Sequence, residues 1–242
     1  MAERSYNRGP GDIRPIEMEP GFVRTADGSV LISAGETRVI CTASVGDSVP
    51  RWMQGRGRGW VTAEYAMLPA STGERKERDS KRGRLDGRSV EIQRLIGRSL
   101  RVAVDFEALG ERVVTVDCDV LQADGGTRCA AITGGYVALK LALEGLVERG
   151  ELETVPLTTE VSAISVGMVD GVALCDLDYS EDSTAEVDAN VVMTGDGGLI
   201  EVQATAERTP LARASLDELL SLAEGGIAKL REAQAAVSLA GI

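Results

Sequence analysis

"RVVTVDCDVLQADGGTRCAAITGGYVALKLALEGLVERG", residues 112–150, changes period in its middle. Its first eleven residues are Val-rich and alternate, which is the pattern of a strand. From Ala130 the apolar residues recur at helical spacing, and Gly150 ends the run. The spacing therefore predicts a strand over 112–122 and a helix over 127–149. The junction is Gly125, Gly126, Thr127 and Arg128, and glycine is a poor helix former. Glycine lets a backbone approach a ligand without a Cβ in the way. The free N–H groups of a first helical turn, with the helix dipole, favour an anion. An arginine beside them adds a fork of donors that matches phosphate oxygens.

Outward from that junction the pattern is mixed. Residues 20–46 read as successive strands with turn clusters at "ADGS" and "SAGET", and "GWVTAEYAMLP" continues as a strand that Pro69 ends. "GRSVEIQRLIGRSLRVAV" is an amphipathic helix with an N-terminal signal at Ser89. "VSAISVGMVDGVALCDLDY" is a hairpin turning at Asp170-Gly171, and "ANVVMTGDGGLIEVQATAE" is a second, turning at "GDGG". The last helix starts at Ser215, with Glu218 completing a capping box, and Gly225-Gly226 either bends it or allows close packing. This order is not a regular βαβα alternation, so the class expected is α+β, an antiparallel sheet with packed helices. No linker divides residues 1–242, so one domain is expected.

Composition removes several chemistries. The chain has no histidine, so a Ser-His-Asp triad, a Cys-His pair and a histidine base are impossible. Its four cysteines, at 41, 118, 129 and 175, form no CxxC and read as free thiols of a reducing compartment. No apolar run approaches the ~20 residues that span a bilayer, and "MAERSYNRGPGDIRP" lacks the apolar centre of a signal peptide. A cytoplasmic location without a membrane partner is expected. The net charge is -12, yet residues 51–101 hold 13 of the 26 basic residues and only 6 of the 38 acidic ones. Such asymmetry points to a polyanionic partner.

Three stretches offer chemistry. One is the Gly125–Arg128 junction. A second, "DGRSVEIQR", repeats the logic, with Gly87, Arg88 and Ser89 at a helix start, so that both ends can converge on one anion. The third is "CDLDYSEDSTAEVDAN", residues 175–190, with Asp176, Asp178, Glu181, Asp182, Glu186 and Asp188 and no basic residue within it. It reads either as a solvated acidic loop or as an oxygen site for Mg²⁺ or Mn²⁺ with a carboxyl for proton transfer. An anion cradle, a basic stretch and an acidic cluster together suit metal-assisted chemistry at phosphorus, as in a nuclease or a phosphotransferase.

The stretches "GWVTAEYAMLP", "GRSVEIQRLIGRSLR", "TVDCDVLQADGGTR", "SVGMVDGVALCDLDYSEDS" and "IEVQATAE" together resemble the bacterial ribonuclease PH family, from about residue 4 to residue 236. The resemblance implies the ribosomal-protein-S5-domain-2-like α+β fold. It implies a nucleotidyltransferase reaction in which inorganic phosphate attacks the 3′-terminal linkage of RNA, tRNA precursors above all, and releases a nucleoside diphosphate. It implies a homohexameric ring, a trimer of dimers. By motif position, phosphate falls to Arg88, Gly126, Thr127 and Arg128, and the catalytic, metal-associated carboxylates to Asp182 and Asp188. The basic segment before Arg88 makes Arg75, Arg78, Arg82 and Arg84 candidate RNA contacts. Two other classes share the parts: a non-catalytic RNA-binding ring subunit, and a hydrolytic metal-dependent nuclease releasing nucleoside monophosphates.

Overall fold

Residues 4–78, 81, 83, 86–206 and 210–238 are described by a computed structural model. Strands β1 (Ile16–Pro20), β2 (Gly28–Ala34) and β3 (Thr37–Gly46) follow one another as antiparallel neighbours. Next come β4 (Trp60–Met67), α1 (Gly87–Val102), a one-turn α2 (Phe106–Leu109) and β5 (Val113–Gln122). The first sheet has the order β1-β2-β3-β5-β4. Its neighbours are antiparallel except β4 and β5, which run parallel from Trp60↔Val113 to Met67↔Val120. The sheets are antiparallel, as expected, apart from this one pair. α1 and its loops form a connection long enough to return the chain in the same direction.

One face of this sheet is apolar, with Val30, Ile32, Val39, Cys41, Val61, Ala63, Val114, Val116 and Cys118 all buried. α3 (Thr127–Glu148) lies on that face and also against the second sheet. By length and composition α3 is apolar enough to cross a bilayer, contrary to the expectation from the sequence, but it is mostly buried inside the protein. It is a core helix, apolar on nearly every side. Gly134 lets it sit close, because a Cβ there would come within 2.7 Å of Ile32 Cγ2 and 2.9 Å of Cys41 Sγ.

The second sheet has the order β7-β6-β8-β9, from β6 (Val161–Val169), β7 (Val172–Cys175), β8 (Val187–Thr194) and β9 (Leu199–Ala206), all antiparallel neighbours. The β6–β7 turn is at Asp170 and Gly171, with φ of 50° and 73°, the conformation of a tight I′ hairpin. Between β7 and β8 lies α4 (Tyr179–Asp182), a single turn inside the acidic stretch. α5 (Arg213–Ala235) packs Leu219, Ala223, Ile227 and Leu230 on this sheet. Gly226 serves close packing, since a Cβ there would meet Cys175 Sγ at 2.7 Å. Two helix starts differ from expectation. α5 begins at Arg213, which puts Ser215 inside it, and α1 begins at Gly87 rather than after Ser89.

Candidate active site

Gly125 and Gly126 have φ of 74° and 66°, two successive left-handed residues that lead β5 into α3. Side chains other than glycine rarely adopt this conformation. Gly125 meets a further constraint. A Cβ there would lie 2.6 Å from the Leu177 carbonyl oxygen and 2.9 Å from the Tyr179 nitrogen. The glycine turn therefore rests directly on the backbone of the acidic stretch. Thr37 Oγ1 fixes the turn from the other side, donating to the Gly125 carbonyl at 2.7 Å and accepting from the Asp124 N–H at 2.9 Å.

The acidic stretch divides by partner. Arg4 Nε donates to Glu181 Oε1 at 2.6 Å, and Arg8 Nη2 lies 3.4 Å from Asp178 Oδ2 and 3.3 Å from Glu181 Oε2. Arg14 holds Asp176 with both arms of its fork, at 3.0 and 2.7 Å. Asp178 also caps α4, accepting from the Ser180 and Glu181 N–H groups in a capping box. Three of the carboxylates are thus neutralised and buried, and the reading of a cluster without basic partners is corrected. The partners come from "RSYNRGPGDIR" at the far end of the chain. β7 ends at Cys175, so Asp176 and Asp178 lie beyond the strand.

Asp182 closes α4, and Asp188 is on β8, opposite Gly167 on β6 and Thr205 on β9. Partial burial raises the Asp182 carboxyl above its ordinary 3.8, against the opposing fields of Arg88, Arg128 and Arg14. Burial likewise raises the Tyr65 phenol, against its hydrogen bond with Thr127 and the fields of Arg88 and Arg128. Two arginines from two helix starts therefore act on the same phenol and the same carboxyl. The structure brings Arg88, Thr127, Arg128 and Asp182 to one place. Tyr65 Oη donates to Thr127 Oγ1 at 3.0 Å, and Arg128 Nη1 donates to Gln203 Oε1 at 3.4 Å. Sequence reasoning gave no role to Tyr65 or Gln203. Tyr65 carried a signal, being a polar aromatic in step with the core residues Val61 and Ala63.

Beside the α1 start is a cleft of about 640 Å³, lined by Tyr65, Lys76, Arg78, Arg88 and Ser89 and also by Glu64, Glu77, Asp86, Asp117 and Asp119. Asp117 titrates above the usual carboxylate range through burial and the nearby Glu64 and Asp119. Arg78 faces this cleft, whereas Arg75 is exposed and does not line it. Arg82 and Arg84 lie outside the described residues.

The carboxylate oxygens of Asp182 and Asp188 are donors of the kind a hard divalent cation takes. Among the described residues, no group of three or more protein ligands is assembled. Mg²⁺ commonly takes one or two carboxylates and completes its shell with water and substrate phosphates.

Residues 12–143 match the profile of the 3′ exoribonuclease family, domain 1, and residues 159–226 match domain 2 of that family. Over 228 residues the chain is 56% identical to ribonuclease PH of Syntrophomonas wolfei, covering 94% of this chain and 95% of that protein. The fold is similar to the Archaeoglobus fulgidus exosome with RNA bound to the active site, at TM-score 0.80 and 24% identity, covering 96% and 92% of the two chains. It is also similar to rice Rrp46, at TM-score 0.77 and 17% identity, covering 96% and 99%. With both profiles matched in order and this identity over nearly the whole length, the chain belongs to the ribonuclease PH, or 3′ exoribonuclease, family.

Proposed function

We propose that this phosphorolytic 3′-exoribonuclease holds inorganic phosphate between the starts of α1 and α3 and trims the 3′ ends of RNA, with tRNA precursors as its main substrate. The observation that carries the reading is that Tyr65 bonds Thr127 at the start of α3 and lines one cleft with Arg88 at the start of α1. The difficulty of phosphorolysis is that an anion must attack an anionic linkage. Two fixed guanidiniums and the first-turn N–H groups at Gly126, Thr127 and Arg128 offset that repulsion before the reaction starts. A phosphate oxygen attacks the phosphorus of the terminal linkage, the P–O3′ bond breaks, and the terminal nucleotide leaves as its diphosphate. Phosphate is already partly dianionic at neutral pH, so no histidine base is required.

Asp182 and Asp188 are the proposed catalytic carboxylates. The proton taken by the departing 3′ oxygen would come from one of these carboxyls. The same two residues would hold Mg²⁺ or Mn²⁺, which would offset charge on phosphate oxygens. RNA upstream of the reacting end would lie along the basic segment at Arg75 and Arg78, with Arg82 and Arg84 as further candidates. Because residues from both ends of the chain build the site, the two matched segments act as one domain. A homohexameric ring in the cytoplasm completes the proposal, in keeping with the similarity to exosome structures.

The test is product analysis on a short 3′-tailed RNA with and without phosphate. Phosphate-dependent release of nucleoside diphosphates is expected. Monophosphates formed without phosphate would establish a hydrolytic nuclease instead, and RNA binding without any product would establish a non-catalytic ring subunit.

A further inference from the structure

Arg14 is 1% exposed, in the segment leading into β1. Its Nε and Nη2 donate to the two carboxylate oxygens of Asp176, and its Nη1 donates to the Asp124 carbonyl. Its own backbone N–H adds a bond to Asp176 Oδ2 at 2.7 Å. Nη2 lies 3.1 Å from the place a Cβ would take on Gly126. One side chain thus joins the residues that open the glycine turn to the residue that opens the acidic stretch. Asp176 is held at φ 54°, a conformation unfavourable for a residue with a Cβ. Its N–H donates to the Ser165 carbonyl at 2.7 Å.

A buried ion pair is weak evidence for stability, because an apolar pair of similar volume often serves as well. Arg14 and Asp176 therefore call for a reason other than packing. The contact they bridge supplies one. Gly125 rests on Leu177–Tyr179 through backbone atoms, and a hydrogen bond between the two turns, from the Tyr179 N–H to Asp124 Oδ1, is long at 3.3 Å and exposed. A bidentate arginine–carboxylate pair is directional.

We propose that Arg14 and Asp176 are positioning residues, whose paired fork sets the placement of the phosphate-holding turn at Gly125-Gly126 relative to the turn that carries Asp182. The proposal rests on the reading of those two turns given above. Neither residue touches substrate. Both act by holding two reacting groups in register.

The test uses the full chain with Arg14→Lys and Asp176→Asn, a short 3′-tailed RNA and inorganic phosphate. Lysine keeps the buried cation but cannot reproduce the fork. Asparagine keeps the shape of Asp176 and removes its charge. A misplacement near 1 Å can lower turnover by up to about 100-fold, so a rise of about tenfold in the KM for phosphate and a comparable fall in kcat are expected. The KM for RNA should stay within about twofold, because Arg14 is buried away from the basic segment. The rise in Tm that phosphate gives the parent should also shrink, a readout independent of turnover. If Arg14→Lys does not fold, Asp176→Asn carries the same measurements. A lowered Tm with an unchanged KM for phosphate and unchanged kcat overturns the proposal and leaves a purely structural ion pair. The parent chain separates the two readings. No phosphate-dependent product from the parent overturns the functional assignment itself, whereas an active parent with unaffected variants overturns only the positioning role.

Discussion

Tyr65 donates its hydroxyl hydrogen to Thr127 Oγ1 across 3.0 Å, from β4 to the first residue of α3. That bond occupies an acceptor site of Thr127 and leaves the threonine's own hydrogen free to be donated to the phosphate proposed at the helix start. Tyr65→Phe should keep the packing and remove this orientation. A neutral hydrogen bond contributes about 0.5–1.5 kcal/mol, so the KM for phosphate should rise roughly two- to tenfold. Steady-state kinetics with varied phosphate check this, and an unchanged KM would remove Tyr65 from the site.

Arg128→Ala should chiefly weaken phosphate use. Loss of a charge-assisted contact costs about 1.5–3 kcal/mol, or roughly 10- to 100-fold. Arg88→Ala should behave alike, since both arginines act on Asp182 and Tyr65. RNA affinity, read by filter binding, should change little in either variant. A loss of RNA binding with the phosphate dependence intact would contradict the assignment.

Charge reversal of Arg75 and Arg78 should weaken RNA binding and flatten its salt dependence. Each lost phosphate contact should remove about 0.7 units from the log–log slope for a single strand. A slope equal to the parent's would mark the segment as solvated surface.

Asp182→Asn and Asp188→Asn should abolish single-turnover cleavage of tailed RNA at saturating phosphate, by about 100-fold or more. The paired variant should lose little beyond either single one if both serve one centre. A pH signature separates Asp182 from its neighbours. Burial holds its folded pKa above the unfolded 3.8. The folded state therefore keeps the proton longer, and stability is lost as pH rises from the unfolded value through the folded one. Asp182→Asn removes that loss, so the variant should melt higher than the parent at neutral pH while being inactive. A lower Tm above the transition would refute the burial argument. Retained cleavage in either variant would remove that residue from the catalytic pair.

Gly125→Ala should damage the fold and the site together. The substitution forces a side chain onto φ 74° and against the Leu177 carbonyl at 2.6 Å. Left-handed strain alone costs about 1–3 kcal/mol, so a clear fall in Tm is expected, with loss of phosphate use in what remains folded. A Tm and phosphate KM equal to the parent's would show that the glycine turn does not need its close seat.

The elements with a local signature were legible in the sequence. The I′ turn at Asp170-Gly171, the span of α3 and the glycines at 125–126 all announce themselves within a few residues. The two arginine-bearing helix starts do so as well, because each is a short motif. The arginines that neutralise Asp176, Asp178 and Glu181 were not legible. They lie 162 to 177 residues away from their partners, and no local pattern signals an ion pair at that distance. Gln203, which holds Arg128 from β9, is hidden for the same reason. α4 is one turn long and has too few residues to show a helical period. The parallel β4–β5 pair was missed because each strand alone looks the same whichever way its neighbour runs.

The separation of Arg14 from Asp176 also orders the protein's assembly in time. Synthesis proceeds at about 5–20 residues per second, so the 162 residues between them take roughly 8–30 s to emerge. By then β1 to β5 and α3 have left the ribosome, while Arg4, Arg8 and Arg14 still await their counterions. The first sheet is complete well before the clasp closes and before Asp182 and Asp188 exist. An RNA-cutting centre built this way stays unfinished for most of the time its own message is being read.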